Sequence, residues 1–250
     1  MTFEDKVVVV TGGASGIGKA TSKLFAQKGA KVIIADINKE KAMEVLQEIE
    51  HCTAGEATFV QTDVSKYETV KALIDDVVKR FGRIDIMVNN AGVSYKPRPL
   101  HETPVDILDT ILHINLKGVF YGMKCVIPYM LRQGKGVIIN VASALGTIGS
   151  PGLSCYCASK GGVIQLTKVA AIEYAKSGIR VVAVAPGPTQ TAMLEKMRGN
   201  PESDAVTPKI PMGRIASPEE IANVIVFLAS DEASYITGSV VLVEGGQTAI

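Results

Sequence analysis

Seven short apolar runs alternate along the chain with longer stretches that have a helical period. The runs are rich in Val and Ile and are apolar throughout rather than alternating: KVVVVT, AKVIIAD, EATFVQTD, RIDIMVN, GVIINVA, IRVVAVA and SVVLVEG. Uniformly apolar strands are typical of parallel sheets that helices cover on both faces. The alternation of strand and helix therefore predicts an α/β fold, a doubly wound parallel sheet with its ligands at the carboxyl edge.

Two of the helical stretches carry start signals. Capping boxes, in which a serine and a glutamate three residues later satisfy the first N–H groups of a helix, are predicted at Ser65 with Glu68 and at Ser217 with Glu220. Pro218 strengthens the second signal because proline favours the first helical position.

One long irregular stretch, residues 187–216, is rich in Pro, Met and Gly and is predicted to be a lid over the site. No linker, low-complexity tract or repeat interrupts the pattern, so residues 1–250 are predicted to form one domain.

Composition and charge narrow the functions to consider. Apolar residues make up 47% of the chain and charged residues 20%, which is typical of a globular protein. With 26 basic and 25 acidic residues the net charge is +1, so we expect no attraction to nucleic acid or to an anionic membrane. The start MTFEDKVVVV does not resemble a signal peptide, no apolar run reaches the ~18 residues of a membrane span, and four cysteines do not make a disulfide framework. These features favour the cytoplasm.

Metal chemistry is not indicated. Cys155 and Cys157 flank a tyrosine, but no second cluster of cysteine or histidine completes a site. His51, His101 and His113 are scattered without a metal-binding spacing. We therefore expect no catalytic metal.

The stretch TGGASGIGKAT, residues 11–21, allows two interpretations. Gly13, Gly18 and Lys19 match the spacing of a triphosphate-binding loop, but Ala20 stands where that loop needs Ser or Thr to hold Mg²⁺. The same residues also give Gly12-x-x-x-Gly16-x-Gly18 between a strand and a helix, which suits a pyrophosphate on main-chain N–H groups. A glycine turn of this kind is also a common tight connection.

An acidic residue favours the dinucleotide. Asp36 ends the second predicted strand, about twenty residues after Gly16, where a carboxylate can accept hydrogen bonds from a ribose 2′-hydroxyl. The same carboxylate would repel a 2′-phosphate, and Ser15 offers no compensating cation, so the sequence predicts NAD rather than NADP.

A second motif names the chemistry. Tyr156 and Lys160 are four residues apart and share one face of a predicted helix. Together with TGGASGIG, the run from Asn89 to Gly92, Asn115, Ser143 and the pair Pro186-Gly187, the chain resembles a short-chain dehydrogenase/reductase over its whole length. The resemblance implies a Rossmann fold of about seven parallel strands and hydride transfer between a nicotinamide and a carbinol or carbonyl carbon.

The resemblance also implies roles for individual residues. By resemblance, Tyr156, Lys160, Ser143 and Asn115 form the catalytic tetrad, in which Asn115 supports the lysine through water; an asparagine at a helix kink is compatible with this role. The implied cofactor contacts, besides Tyr156 and Lys160, are Gly12, Ser15, Gly16, Ile17, Gly18, Asp36, Ile37, Asp63, Val64, Asn90, Ala91, Gly92, Pro186, Gly187, Thr189 and Thr191. Asp63 and Val64 would contact the adenine, although Asp63 could instead shape the turn before Ser65. Asn89 has an alternative interpretation too, in which its side chain does no more than join neighbouring strands.

Physical chemistry explains the pairing of tyrosine with lysine. Oxidising a secondary alcohol needs a base near neutral pH, and a free tyrosine with a pKa of ~10 is too weakly ionised. A lysine cation roughly 6 Å away would contribute roughly 2 to 3 kcal/mol, or about two pKa units, toward the phenolate. Ser143 would donate a hydrogen bond to the substrate oxygen as charge develops there. We therefore expect Lys160 to lower the pKa of Tyr156.

The substrate pocket, by resemblance, draws on Tyr95, Leu145 and Met193 beside Ser143 and Tyr156. These side chains are mostly apolar or small, which favours a small or medium uncharged secondary alcohol or ketone, cyclic or a diol. Four nearby basic residues are interpreted as solvated loop charges: Lys96, Arg98, Lys196 and Arg198. The resemblance further implies a homotetramer that pairs through the long helices around Asn115 and Tyr156 and through the C-terminal strand.

Two other functions stay open. A reductase of carrier-bound 3-oxoacyl chains would share the fold and the tetrad, but such enzymes usually have a basic residue in place of Ser15 and no acid at Asp36. A regulator that binds NAD without turnover would be expected to lose the tyrosine or the lysine, and this chain keeps both.

Overall fold

The structure is a computed structural model that describes residues 1–52, 55–198 and 207–249. In this part of the chain seven parallel strands form one sheet in the order β3-β2-β1-β4-β5-β6-β7. The strands are β1 Val7–Thr11, β2 Lys31–Asp36, β3 Glu56–Gln61, β4 Ile86–Asn89, β5 Gly136–Val141, β6 Ile179–Pro186 and β7 Val240–Val243. The predicted α/β fold is confirmed, and the strand order reverses between β1 and β4, where doubly wound sheets bind ligands.

Helices connect the strands and cover both faces of the sheet. They are α1 Gly16–Gln27, α2 Lys39–Cys52, α3 Tyr67–Phe81, α4 Val105–Ile111, α5 Gly118–Gln133, α6 Ser154–Tyr174, α7 Ala192–Arg198 and α8 Pro218–Ala229. A π-helical segment, Leu112–Lys117, joins α4 to α5. None of the described helices has the length and apolar character that a membrane crossing requires.

Alternate side chains of each central strand enter two separate cores. Val7 and Val9 of β1 pack with α3, α5 and α6, whereas Val8 and Val10 pack with α1, α2 and α8. This is why the central strands are apolar at every position. The edge strands β3 and β7 are only partly buried, although their side chains pack against both cores.

One predicted capping box is confirmed and the other is wrong. The Ser217 hydroxyl accepts from the Glu220 N–H, and the Glu220 carboxylate accepts from the Ser217 N–H. Ser65 instead donates its hydroxyl hydrogen to Asp63 Oδ1 at 2.6 Å, and α3 begins only at Tyr67. The carboxylate two residues earlier takes the hydroxyl that a capping box would need.

The predicted lid, residues 187–216, is not irregular throughout. It contains α7 and a short 3-10 turn, Thr207–Lys209, and its two ends are joined by a parallel bridge between Thr189 and Ala216. Residues 199–206 of this stretch lie outside the described residues.

Candidate active site

The glycine turn after β1 depends on two positive φ angles and two close approaches. Gly12 and Gly16 have positive φ angles of 63° and 49°, which side chains disfavour. A β-carbon on Gly18 would lie 2.1 Å from the Gly12 carbonyl oxygen, and one on Gly12 would lie 2.9 Å from Cα of Ala91. The glycines therefore let the turn fold tightly against the loop after β4.

This turn fits the pyrophosphate of a dinucleotide better than a triphosphate. The first turn of α1 holds no acidic residue, its leading N–H groups have no partners within the helix, and Ser15 at the N-cap makes no side-chain capping bond. Lys19, the lysine of the triphosphate interpretation, is held by Glu48 of α2, with 2.7 Å between Nζ and Oε1. The main chain, rather than a lysine, is therefore available to an anion.

Asp36 lies at the carboxyl end of β2 beside this turn. Its Oδ2 accepts from the Ala14 N–H at 3.1 Å, and its Oδ1 accepts from the Asn38 N–H at 3.0 Å. Among the described residues no cation forms an ion pair with Asp36. Ile37, the next residue, leaves 66% of its surface exposed. An uncompensated carboxylate and an exposed apolar side chain thus share the edge of the cleft.

Asp63 performs the turn-shaping role that was its alternative interpretation. Its Oδ1 accepts from both the N–H and the hydroxyl of Ser65, and these bonds, with a smaller contribution from Lys66, lower the pKa of the Asp63 carboxyl. Val64 packs against Gly118, where a β-carbon would lie 3.1 Å from its Cγ2. A contact of either residue with adenine stays a prediction.

Asn89, the last residue of β4, and Asn90, which follows it, both make structural hydrogen bonds. Asn89 donates its amide to Asn140 Oδ1 on β5 at 2.9 Å, as its alternative interpretation had it. Asn90 donates to the carbonyl oxygens of Thr11 and Gly12, at 2.9 and 3.2 Å, so its amide hydrogens fix the glycine turn. Any cofactor contact of Asn90 would therefore use another atom.

Thr11 belongs to the site although the sequence analysis did not single it out. Its Oγ1 accepts from the N–H groups of Asn90 and Ala91, at 3.0 and 3.1 Å. The signal was present, because a threonine that ends a buried apolar strand has its hydroxyl at the carboxyl edge.

Asn115 is locked by its own hydrogen bonds. It lies in the π-helical segment, so the helix irregularity that was considered at this position is real. Its Oδ1 accepts from the Val93 N–H at 2.8 Å, and its amide donates to Val93 O at 2.9 Å and to Ser159 Oγ at 3.2 Å. Ser159 was not predicted as a site residue. The signal in the sequence was its position directly before Lys160 on the same helix.

Tyr156, Lys160 and Ser143 converge at the carboxyl ends of β5 and β6. Lys160 is 3% exposed; its ammonium group lies 5.9 Å from the Tyr156 ring centre and donates to Val141 O at 2.7 Å. Ser143 Oγ accepts from the Leu145 N–H at 3.2 Å and donates to Pro186 O at 3.5 Å. Gly92 lies beside them, since a β-carbon there would be 3.5 Å from Lys160 Nζ.

Burial dominates the titration of this cluster. It raises the pKa of Tyr156, against which a hydrogen bond with Ser143 works more weakly. It also lowers the pKa of Lys160 to about 8. The prediction that Lys160 brings the pKa of Tyr156 down is therefore wrong for the protein alone, because removal of both groups from water opposes their charged forms.

The predicted substrate-side residues come from three segments. Tyr95, after β4, accepts from the Cys155 N–H at 3.1 Å through its hydroxyl and so meets the start of α6. Leu145 follows Ser143, and Met193 lies on α7 with 38% of its surface exposed. Thr191 connects α7 to the glycine turn, because a β-carbon on Gly16 would lie 3.0 Å from its Cγ2.

Four further predicted cofactor contacts lie at and after the end of β6. Gly187 donates to Val243 O at 3.0 Å, and the Thr189 hydroxyl donates to Gly187 O at 3.0 Å. Pro186, Gly187, Thr189 and Thr191 thus lie along one short stretch of chain that begins at the end of β6. Within the described ranges, no group of three His, Cys, Asp or Glu side chains could hold a metal ion.

The doubly wound sheet with its glycine turn is of the Rossmann type, and similarity to known proteins gives the family. Residues 12–248 match the family described as enoyl-(acyl carrier protein) reductase. The chain belongs to the short-chain dehydrogenase/reductase family.

Similar proteins cover the chain almost completely. The 3-oxoacyl-(acyl-carrier-protein) reductase FabG of Thermotoga maritima is 46% identical over 246 residues, 98% of this chain and 99% of the relative. The cis-4-hydroxycyclohexanecarboxylate dehydrogenase of Sinomonas cyclohexanicum is 41% identical over 250 residues, 99% of this chain and 98% of the relative. The crystal structure of levodione reductase, 38% identical, superposes with a TM-score of 0.94 over 99% of both chains.

Proposed function

We propose that the chain transfers hydride between NAD(H) and a small or medium uncharged secondary alcohol or ketone, with a cyclic alcohol or a diol as the expected substrate. The observation that carries the proposal is the convergence of Ser143, Tyr156 and the buried Lys160 beside the glycine turn. The cyclic substrate takes support from the relative whose name contains a hydroxycyclohexane ring.

In the proposed reaction Tyr156 exchanges a proton with the substrate oxygen. Because burial raises its pKa, the phenol is protonated in the protein alone and suited to give its proton to the oxygen of a ketone undergoing reduction. Ser143 donates a hydrogen bond to the same oxygen. The bound nicotinamide would supply or accept the hydride and, when oxidised, would add a positive charge that favours the phenolate.

Lys160 and Asn115 prepare the site. With a pKa of about 8, Lys160 is mostly cationic at neutral pH and is aimed by Val141 O, and we assign it the ribose of the nicotinamide. The Asn115 side chain is occupied by Val93 and Ser159, so we assign it the positioning of the loop after β4 against α6 rather than direct proton transfer.

The preference for NAD rests on Asp36. Its carboxylate lies at the end of β2 without an ion pair in the described chain, and a 2′-phosphate there would add a second anion. Asp63, Val64, Asn90 and Gly92 are the proposed contacts for the adenine half and the ribose.

The test is a panel of alcohol substrates that differ in ring and charge. We would compare kcat/KM for cyclohexanol, 4-hydroxycyclohexanecarboxylate and a 3-hydroxyacyl thioester, with NAD and with NADP, by absorbance of the reduced nicotinamide. The proposal expects cyclohexanol with NAD to be used at least as well as the carboxylate. An advantage of a hundredfold or more for an anionic substrate, ~2.7 kcal/mol, would contradict the uncharged substrate.

A second candidate is reduction of carrier-bound 3-oxoacyl chains. It is favoured by the 46% identity to the relative of that name. The same panel decides, because the 3-hydroxyacyl thioester with NADP as the best pair would replace the first proposal.

We also propose a cytoplasmic homotetramer. Free Cys125, Cys155 and Cys157 agree with a reducing compartment. The helices named for subunit pairing carry exposed apolar side chains, among them Phe120 of α5 at 45% and Ile172 of α6 at 81%. Exposed apolar surface of this kind is typical of protein interfaces.

A further inference from the structure

The chain turns sharply after β7 around one carboxylate. Glu244 accepts from the Gly246 N–H at 3.2 Å through Oε1 and from the Thr248 N–H at 2.7 Å through Oε2. Gly245 and Gly246 have φ angles of 68° and 88°, a conformation that glycine adopts without strain. The side chain of Glu244 therefore fixes the shape of the segment from residue 244 to residue 248.

This turn contacts the second half of the lid, residues 207–216, which we name the return segment. Met212 donates its N–H to Gly245 O at 3.1 Å. A β-carbon on Gly245 would lie 2.7 Å from Ile210 Cγ2, and one on Gly246 would lie 3.0 Å from Pro211 Cγ. A cavity of about 80 Å³ beside this contact is lined by both segments, among other residues by Met212 and Gly245.

The same turn also contacts the first part of the lid. A β-carbon on Gly187 would lie 2.8 Å from Cα of Glu244. The return segment then rejoins this part, since Gln190 donates to Ala216 O at 2.9 Å and Ala216 donates to Pro188 O at 3.0 Å. The turn after β7 thus contacts both the first part of the lid, at Gly187, and the return segment.

We propose that Glu244 is a positioning residue for the cleft. By holding the return segment, it keeps Thr189 and Thr191 at the cofactor side before any ligand binds. The inference rests on the proposed function only in the identity of the ligands. When a binding-competent arrangement is populated for a fraction of the time, apparent affinity falls by that fraction, while turnover of the bound complex need not change.

The experiment compares three variants of the full-length protein. Glu244→Ala removes both acceptors, and Glu244→Gln keeps the shape and one acceptor. Asp85→Asn is the matched control, because the Asp85 carboxylate also accepts a main-chain N–H, that of Val7 at 2.9 Å, but lies directly before β4, away from the lid. For each we would measure the Kd of NADH by its fluorescence, kcat and KM, and the rate of trypsin cleavage after Lys209 without ligand.

Glu244→Ala should raise the Kd and the KM by about fivefold with kcat changed less than about twofold, and should speed cleavage after Lys209. The Kd, the KM and the cleavage rate of Glu244→Gln should lie between those of Glu244→Ala and the wild type. Asp85→Asn should leave the Kd, the KM and the cleavage rate unchanged. Unchanged Kd and cleavage in Glu244→Ala, or equal changes in Asp85→Asn, would overturn the proposal. If NADPH rather than NADH binds the wild type, the cofactor assignment fails, while the cleavage rates still decide the role of Glu244.

Discussion

The ammonium group of Lys160 donates a hydrogen bond to the main-chain oxygen of Val141 at 2.7 Å, in a place where the lysine is 3% exposed. One neutral acceptor replaces only part of the hydration that a cation has in water. This is the physical reason for a lysine pKa of about 8 at this position.

Replacing Lys160 should change how the free energy of unfolding depends on pH. The unfolded lysine has a pKa of about 10.4, so between pH ~8 and ~10.4 the unfolded chain binds more protons and stability rises with pH. Relative to Lys160→Met, the free energy of unfolding of the wild type should rise by about 2 to 3 kcal/mol between about pH 7 and pH 10. Denaturant titrations at each pH measure it, with the exposed Lys168→Met as control. A constant difference would mean that Lys160 titrates as an ordinary lysine.

Tyr156→Phe should remove proton transfer and keep cofactor binding. We expect kcat to fall by at least about 100-fold, because only the phenolic hydroxyl is lost. The Kd of NADH, measured by fluorescence, should stay within about twofold. Ser143→Ala is the comparison, with a loss of about 100-fold or more if its hydrogen bond acts on the substrate oxygen. Turnover that survives in Tyr156→Phe would show that another group carries the proton.

Asp36→Asn should weaken the choice between the two cofactors. The wild type should prefer NAD over NADP by at least about tenfold, ~1.4 kcal/mol, in kcat/KM. The asparagine keeps an acceptor for Ala14 and removes the charge, so the preference should shrink while NAD is still used. Asp63→Asn, two residues beyond the end of the neighbouring strand β3, should leave the preference as it is. Equal use of both cofactors by the wild type would refute the assignment.

Ile172→Lys should dissociate the proposed tetramer. A charge in place of a side chain that is 81% exposed costs the isolated subunit little, but it would lose its water in an interface between apolar helices. Light scattering at micromolar concentration should give four subunits for the wild type and fewer for the variant. Met43→Lys, at an exposed apolar position on α2, serves as the control. A monomeric wild type would contradict the prediction.

The chain pattern predicted the order of the elements because each strand is chemically distinct from the helix that follows. It failed where two local signals competed. Ser217 has no rival acceptor before it and caps α8, whereas Ser65 follows Asp63 by two residues and bonds to that carboxylate. A start signal in the sequence therefore predicts a cap only when no nearby side chain takes the same hydroxyl.

The site could be predicted as a set of residues but not as an electrostatic system. Spacing places Tyr156 and Lys160 on one face of a helix, yet their burial depends on β5, which lies earlier in the chain and supplies Val141. The occupation of the Asn115 side chain by Val93 and Ser159 likewise depends on a π-helical segment that has no sequence signature. The role of Glu244 could not be predicted from the sequence, because it depends on the contact between the turn after β7 and the return segment.

The pairing of β1 with β4 has a consequence for synthesis on the ribosome. Val7 meets Asp85, 78 residues later, so the apolar edge of β1 has no permanent neighbour on that side until β4 has left the exit tunnel. An open strand edge of this kind is a template for wrong pairing between nascent chains. We therefore expect this protein to depend on chaperones most strongly while its first ~90 residues are exposed, and chains halted before β4 to aggregate.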